Sequence, residues 1–120
     1  MATTTTKIGF PFAANMAQDA DLDESIESNM IGPTPTVYTF DVENTDSTVS
    51  YVKIYDAKTA TVGTTAPSLV FMVPGNSRRS IVIPAGLVFV TAISAAAVAA
   101  GGTAGTSGPS NFTKLRIIAT

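Results

Sequence analysis

The run Asp19-Ala20-Asp21-Leu22-Asp23-Glu24 comes nearest to a recognisable chemistry. Carboxylates at alternate positions suit a hard cation, and calcium loops of the helix–loop–helix type begin this way. Such a loop needs glycine at its sixth position and a bidentate glutamate at its twelfth. Here those positions hold Glu24 and Met30. The run is therefore expected to be a solvated acidic face, with no dedicated metal site. The chain has no histidine and no cysteine. That removes the usual general base, the thiolate nucleophile and the commonest transition-metal ligands. No serine or threonine can have an imidazole beside it, and we expect neither enzyme activity nor a cofactor.

The other candidates are weaker. Gly101 to Gly108 is glycine-rich but lacks the Lys-Ser/Thr of a phosphate-binding loop and the strand-to-helix context. It reads as a flexible low-complexity loop. Arg78-Arg79 is the only basic doublet, too little for a nucleic-acid stripe and better suited to a salt contact. Tyr38, Tyr51 and Tyr55 could stack on a sugar, but without tryptophan, and with Tyr38 on an alternating apolar face, packing is the better reading. Asn111-Phe112-Thr113 is a sequon with meaning only in a secretory host.

Short apolar runs cut by Pro and Gly between Val49 and Ile93 point to closely connected strands. Val37 to Glu43 alternates, placing Tyr38, Phe40 and Val42 on one face. Val49 to Asp56 follows, with Val52 and Ile54 on one face and Tyr51, Lys53 and Tyr55 on the other. A short strand is expected near Ala60-Thr61-Val62. Ser68 to Val73 reads as a central strand, and Pro74-Gly75-Asn76-Ser77 as the turn of a hairpin over 68–83. Pro84-Ala85-Gly86 breaks that strand, and Leu87 to Ile93 forms the next. Ser94 to Ala100 is small enough to lie against another backbone. Phe112 to Ala119 closes the domain, with Thr113, Leu115 and Ile117 on one face. These elements predict an all-β fold of about seven or eight strands. The expected closure is a jelly-roll-like or immunoglobulin-like β-sandwich, with a small barrel second.

Residues 1–35 read as an N-terminal arm ahead of a sandwich domain at 36–120. Phe10 and Phe12 flank Pro11, a short helix could start at Asp23 or Ser25, and Gly32-Pro33-Thr34-Pro35 marks the boundary. The competing reading adds this segment to the domain as an edge strand. Residues 1–56 carry nine acids and two bases, net −7, whereas residues 57–120 carry five bases and no acid, net +5. Such a split permits complementary contact within one chain or between copies. Leu87 to Ala100, the apolar piece of an uncharged stretch, is well short of the ~20 residues of a spanning helix. The first ten residues lack the basic head and apolar core of a secretory signal. Neither a membrane nor a nucleic acid is an expected partner.

Residues 49–113 resemble a family of small β-rich structural proteins of tailed phages and prophages. The likeness rests on Val52-Lys53-Ile54-Tyr55-Asp56, Thr61-Val62-Gly63-Thr64-Thr65-Ala66-Pro67, Ile83-Pro84-Ala85-Gly86, Phe89-Val90-Thr91-Ala92-Ile93-Ser94 and the Gly/Thr-rich loop after them. The family usually has an acidic loop where this chain has the acid-free Val98 to Gly108. The resemblance implies a virion surface or connector component without catalysis. The expected role is a capsid decoration (cement) protein on the outer capsid surface, with the major capsid protein and further copies of itself, a trimer among the suitable forms, as partners. A tail, neck or fibre-anchoring component and a glycan- or receptor-binding module are the alternatives. Expected partner contacts are Phe10, Phe12, Asp19, Asp21, Asp23, Glu24, Glu27, Arg78 and Arg79. The loops Asn44–Ser47, Pro74–Arg79 and Gly101–Asn111 are expected at one end of the sandwich.

Overall fold

In a computed structural model, which describes residues 3–8 and 14–120, the chain forms nine strands and, among the described residues, no helix. They are β1 (Thr3–Ile8), β2 (Ala14–Leu22), β3 (Glu27–Ile31), β4 (Thr36–Asn44), β5 (Ser50–Asp56), β6 (Leu69–Val73), β7 (Ser77–Val88), β8 (Ile93–Val98) and β9 (Thr113–Ala119). Sheet A has the order β1-β2-β9-β4-β7 and sheet B the order β3-β8-β5-β6, with all pairings antiparallel. The two sheets pack face to face as a β-sandwich, the fold class expected from the alternation. Phe40 and Val42 of β4, Leu115 and Ile117 of β9, Val52 and Ile54 of β5 and Ile93, Ala95 and Ala97 of β8 fill the space between them.

The segment expected to be an arm is part of both sheets. β2 pairs with β9 in the interior of sheet A, and β3 pairs with β8 in sheet B. Ala17, Leu22, Met30 and Ile31 enter the common core. At strand spacing, and with a change of sheet at residues 23–26, a few large side chains suffice to cover the ends of β9 and β8. The short helix expected at Asp23 or Ser25 is replaced by that bend.

Further expectations change. β6 is an edge strand of sheet B, not a central one, and β7 belongs to sheet A. The Pro74–Asn76 turn therefore carries the chain between sheets and does not close a hairpin. Pro84-Ala85-Gly86 does not end β7; it forms a bulge, with Leu87 opposite Val37 and Val82 opposite Thr39. Gly86 takes φ +83°, and a Cβ there would lie 2.5 Å from the Thr36 side chain, so the bulge requires glycine. The same irregularity shifts the phase of β4, and Tyr38 leaves the core face while Val37, Phe40 and Val42 stay on it. Residues 61–65 make a tight turn, with Thr61 O accepting from the Thr64 and Thr65 N–H groups, and residues 89–92 are a connection, where strands had been expected.

Deleting residues 1–31 would take the β2 partner from β9 and the β3 partner from β8. Burial of Leu22, Met30 and Ile31 is worth roughly 1.5–3 kcal/mol each, which together rivals a domain's whole stability of about 5–15 kcal/mol. The truncated chain is expected to lose its cooperative thermal transition by circular dichroism. A sharp transition near that of the full chain would restore the arm description.

Candidate functional site

The expected contact residues fall on opposite flanks. Phe10 and Phe12 lie outside the described residues. Asp19, Asp21, Asp23, Glu24 and Glu27 gather where β2 passes to β3, at the flank formed by β1 and β3. The bend is tied down locally. Asp23 Oδ1 accepts from the Ser25 N–H at 2.9 Å, and Ala97 N–H donates to the Asp23 carbonyl at 2.8 Å. Among the described residues no group of three or more acidic side chains is placed to hold a metal ion. Asp19 is fully buried, with Oδ1 accepting from the Asp21 N–H at 3.0 Å and Oδ2 meeting no donor. Burial, followed by the nearby side chains of Asp21 and Glu27, pushes its carboxyl up to about 7.

Arg78 and Arg79 stand on the far flank, in β7. Successive strand residues point to opposite faces, which separates the doublet. Arg78 grips both Asp41 carboxylate oxygens on the outer face of sheet A, and Ser80 Oγ adds a third bond to Asp41 at 2.9 Å. The guanidinium holds the Asp41 carboxyl below the ordinary carboxylate range. Glu43 and Lys114 form a looser pair at 3.4 Å on the same face. Acidic and basic halves of the chain thus meet within one molecule there. Arg79, opposite Val42, is exposed, and its side chain forms no hydrogen bond or ion pair with another described residue.

Polar side chains missed as site residues hold the loops. Asn44 donates through Nδ2 to the carbonyls of Thr48 (2.8 Å), Val73 and Pro74 (both 3.1 Å), while its Oδ1 accepts from the Asp46 N–H. Asp46 accepts from the Thr48 N–H at 3.0 Å and the Asn111 N–H at 2.9 Å, and its own carbonyl accepts from Asn76 N–H. The loops at 44–48, 74–76 and 110–112 consequently meet at one end of the sandwich. Those backbone donors, Asn111 and Thr48 first, lower the Asp46 pKa to about 2. At the other end of β5, Asp56 accepts from the Val90 and Thr91 N–H groups at 2.9 and 2.8 Å, which lowers its pKa as well.

The glycine-rich loop is a roof over sheet B. Lys53, fully buried on the outer face of β5, donates from Nζ to the carbonyls of Gly102 (2.7 Å), Gly105 (2.9 Å) and Thr103 (3.2 Å). One ammonium has three N–H groups, so the three carbonyls use it fully. Burial pushes its pKa down from the ordinary lysine value. A Cβ at Gly101 would stand 2.8 Å from the Tyr51 ring, so glycine lets the roof descend onto that ring. The three tyrosines do not form one platform. Tyr55 is buried, Tyr51 lies under the roof, and Tyr38 is on the other sheet.

The feature with the chemistry of a docking surface is the flank between the edge strands β6 and β7. Leu69, Phe71, Ile81, Ile83 and Leu87 point toward the core there but stay half-exposed. Val82, Val88 and Val90 are 66%, 68% and 74% exposed, and Val70 and Met72, opposite Lys53 and Tyr51, are exposed on the outer face of sheet B. A cavity of about 150 Å³ opens between Asp56, Ser68, Leu69, Leu87, Val88 and Phe89. Sequence reasoning passed over this surface because it assigned 68–83 to one hairpin. With β6 and β7 in different sheets, each leaves a free edge.

Comparisons with protein-family models, with curated proteins and with solved structures found no match to this chain.

Lys53→Met would leave three roof carbonyls without their donor. A loss of about 2–3 kcal/mol is expected in urea denaturation, from hydrogen bonds to a charged group, with new proteolytic cleavage within residues 101–111. Unchanged stability and protection would mean that the roof holds without the ammonium. The depressed Asp46 pKa gives a second expectation. Its contribution is complete above about pH 4, where the unfolded carboxyl is ionised, and is lost as pH falls through about 2. Asp46→Asn should flatten the acid limb of stability between those values. The same acid slope in both proteins would remove Asp46 from that role.

Proposed function

We propose that this chain is a non-enzymatic structural protein of a tailed-phage virion, a decoration protein that binds the outer capsid surface and bridges major-capsid subunits. The observation that carries the reading is the β6–β7 flank. An exposed apolar strip bounded by two free strand edges is the kind of surface that a protein partner covers. Such a strip along two strand edges suits another protein surface better than it suits a small molecule. The resemblance in residues 49–113 supplies the virion context. Pinned loops at both ends of β5 support a rigid body that spans neighbours, and many copies on one lattice make weak individual contacts sufficient. Self-association, with a trimer as one suitable form, belongs to the same proposal. The separated tyrosines weigh against a glycan platform.

Sedimentation of purified chain with heads of the encoding phage, prepared without this protein, tests the role. Saturable binding at a fixed number of copies per capsomer is expected. Val82→Glu and Val88→Glu, at well-exposed positions, should each weaken it at least tenfold with the melting temperature unchanged. Binding to tails alone would transfer the chain to the tail or neck, and binding to neither would end the virion reading.

A further inference from the structure

Asp19 lies on the inner face of sheet A, two residues from the core residue Ala17. Its partner across β9 is Leu115, also in the core. Glu27 of β3 is opposite the core residue Ala95 of β8 and so projects from the inner face of sheet B. Both carboxyl groups therefore face the gap between the sheets, and the side chains of Asp21 and Glu27, in that order, add to the burial that raises the Asp19 pKa. Asp21, on the same strand as Asp19, is the third acid beside them. From β1, Thr3 is directly opposite Asp19, and its hydroxyl oxygen is likewise buried without a partner. The cations on adjoining strands are engaged or placed elsewhere. Arg116 is exposed and donates to Gln18 Oε1 at 3.0 Å, and Lys7 is opposite Asn15.

A buried carboxyl oxygen that faces other carboxyls and no donor can be satisfied by a shared proton. A calcium ion would need about six to eight oxygen ligands, more than this junction assembles. We propose that Asp19 is the protonated member of a carboxyl–carboxylate pair with Glu27, a proton-held latch that joins the two sheets at the β1–β3 flank. Asp19 Oδ2–H donates to the Glu27 carboxylate. When the proton leaves for solvent, two negative groups face each other in the gap and the flank loosens. The inference stands whether or not the chain decorates a capsid.

The sign follows from proton counts. Asp19 has its folded pKa raised from 3.8 to about 7, so between these values the native state binds more protons than the unfolded state. Stability from the latch is complete below about pH 4 and is lost as pH rises through about 7. Each pH unit in that window lowers the folding equilibrium constant by up to about tenfold.

Carboxyl carbons of the full chain can be titrated by NMR, with amide exchange in β1 and β3 corrected for its intrinsic pH dependence. One carboxyl with a midpoint near 7 is expected, absent in Asp19→Asn, with exchange in both strands accelerating above it. Asp19→Asn should also lose the fall in melting temperature between pH 4 and 7. Glu27→Gln, at a half-buried position, tests the pair even where Asp19→Asn does not fold. It should keep the unusual carboxyl and lower its midpoint by about one unit. An Asp19 midpoint near the ordinary value of about 4 overturns the latch. So does a midpoint that Glu27→Gln leaves unmoved. Stabilisation at pH 8 by millimolar calcium in the wild-type chain, lost in Glu27→Gln, would replace the proton with a cation and equally end the proposal.

Discussion

A chain that changes sheets at six of its eight connections must satisfy the backbone groups that each crossing takes out of the ladders. Unpaired and buried, each such group costs about 1–3 kcal/mol. The molecule meets this demand with a few polar side chains placed at strand ends. Asn44 and Asp46 gather three loops below β5, and Asp56 holds the β7–β8 connection above it. Lys53 does the same on the outer face of sheet B, where its ammonium organises the carbonyls of a loop that has little side-chain substance of its own. Remove these anchors and the sheets would still have an apolar core, but the crossings would lose the partners that fix their paths.

The body of the sandwich was legible because period-two alternation is a local signal. β4, β5 and β9 emerge within a residue or two of their observed limits, with Val52, Ile54, Leu115 and Ile117 on the expected faces. Sheet membership is not local. Pro74-Gly75-Asn76 reads as a hairpin turn because the residues that make it a crossover, Asn44 and Asp46, are about thirty positions away. The early segment was misread for a related reason. Its acids suggested solvent, yet Asp19 points inward and Leu22 is fully buried, an arrangement that depends on β9, ninety residues later. Of the expected contacts, Arg79 is exposed and unpaired, Arg78 is bound within the chain, and Asp19 is inaccessible. A glycine-rich loop looks flexible from composition alone. The lysine that immobilises it sits about fifty positions earlier and carries no mark of that role in its own neighbourhood.

The two flanks of the sandwich solve the edge problem differently. At the β1–β3 side, polar threonines line the outer strand and the buried Asp19 carboxyl faces the gap between sheets. At the β6–β7 side nothing comparable among the described residues covers Leu69, Phe71, Ile81 and Leu87. That contrast makes the second flank informative. An isolated sandwich gains little from leaving valines more than half exposed beside an incompletely covered core, whereas a protein that works against a neighbour has a use for them.

The bulge in β7 narrows the manner of that contact. A regular free edge would invite continuation of sheet A by a partner strand, and with it uncontrolled edge-to-edge growth. Pro84 removes a backbone donor from the bulged stretch, and residues 83–86 depart from the regular ladder with β4. A partner can then extend the ladder over 77–82 but not through the bend, while Val82, Val88 and Val90 remain available as side chains on either side of it. Recognition at this flank would rest mainly on fitted apolar surface, with Arg79 as its free charge. Such a contact would be specific to a partner of matching shape and acidic rim. It also limits the open-ended polymerisation that an unbroken edge would permit.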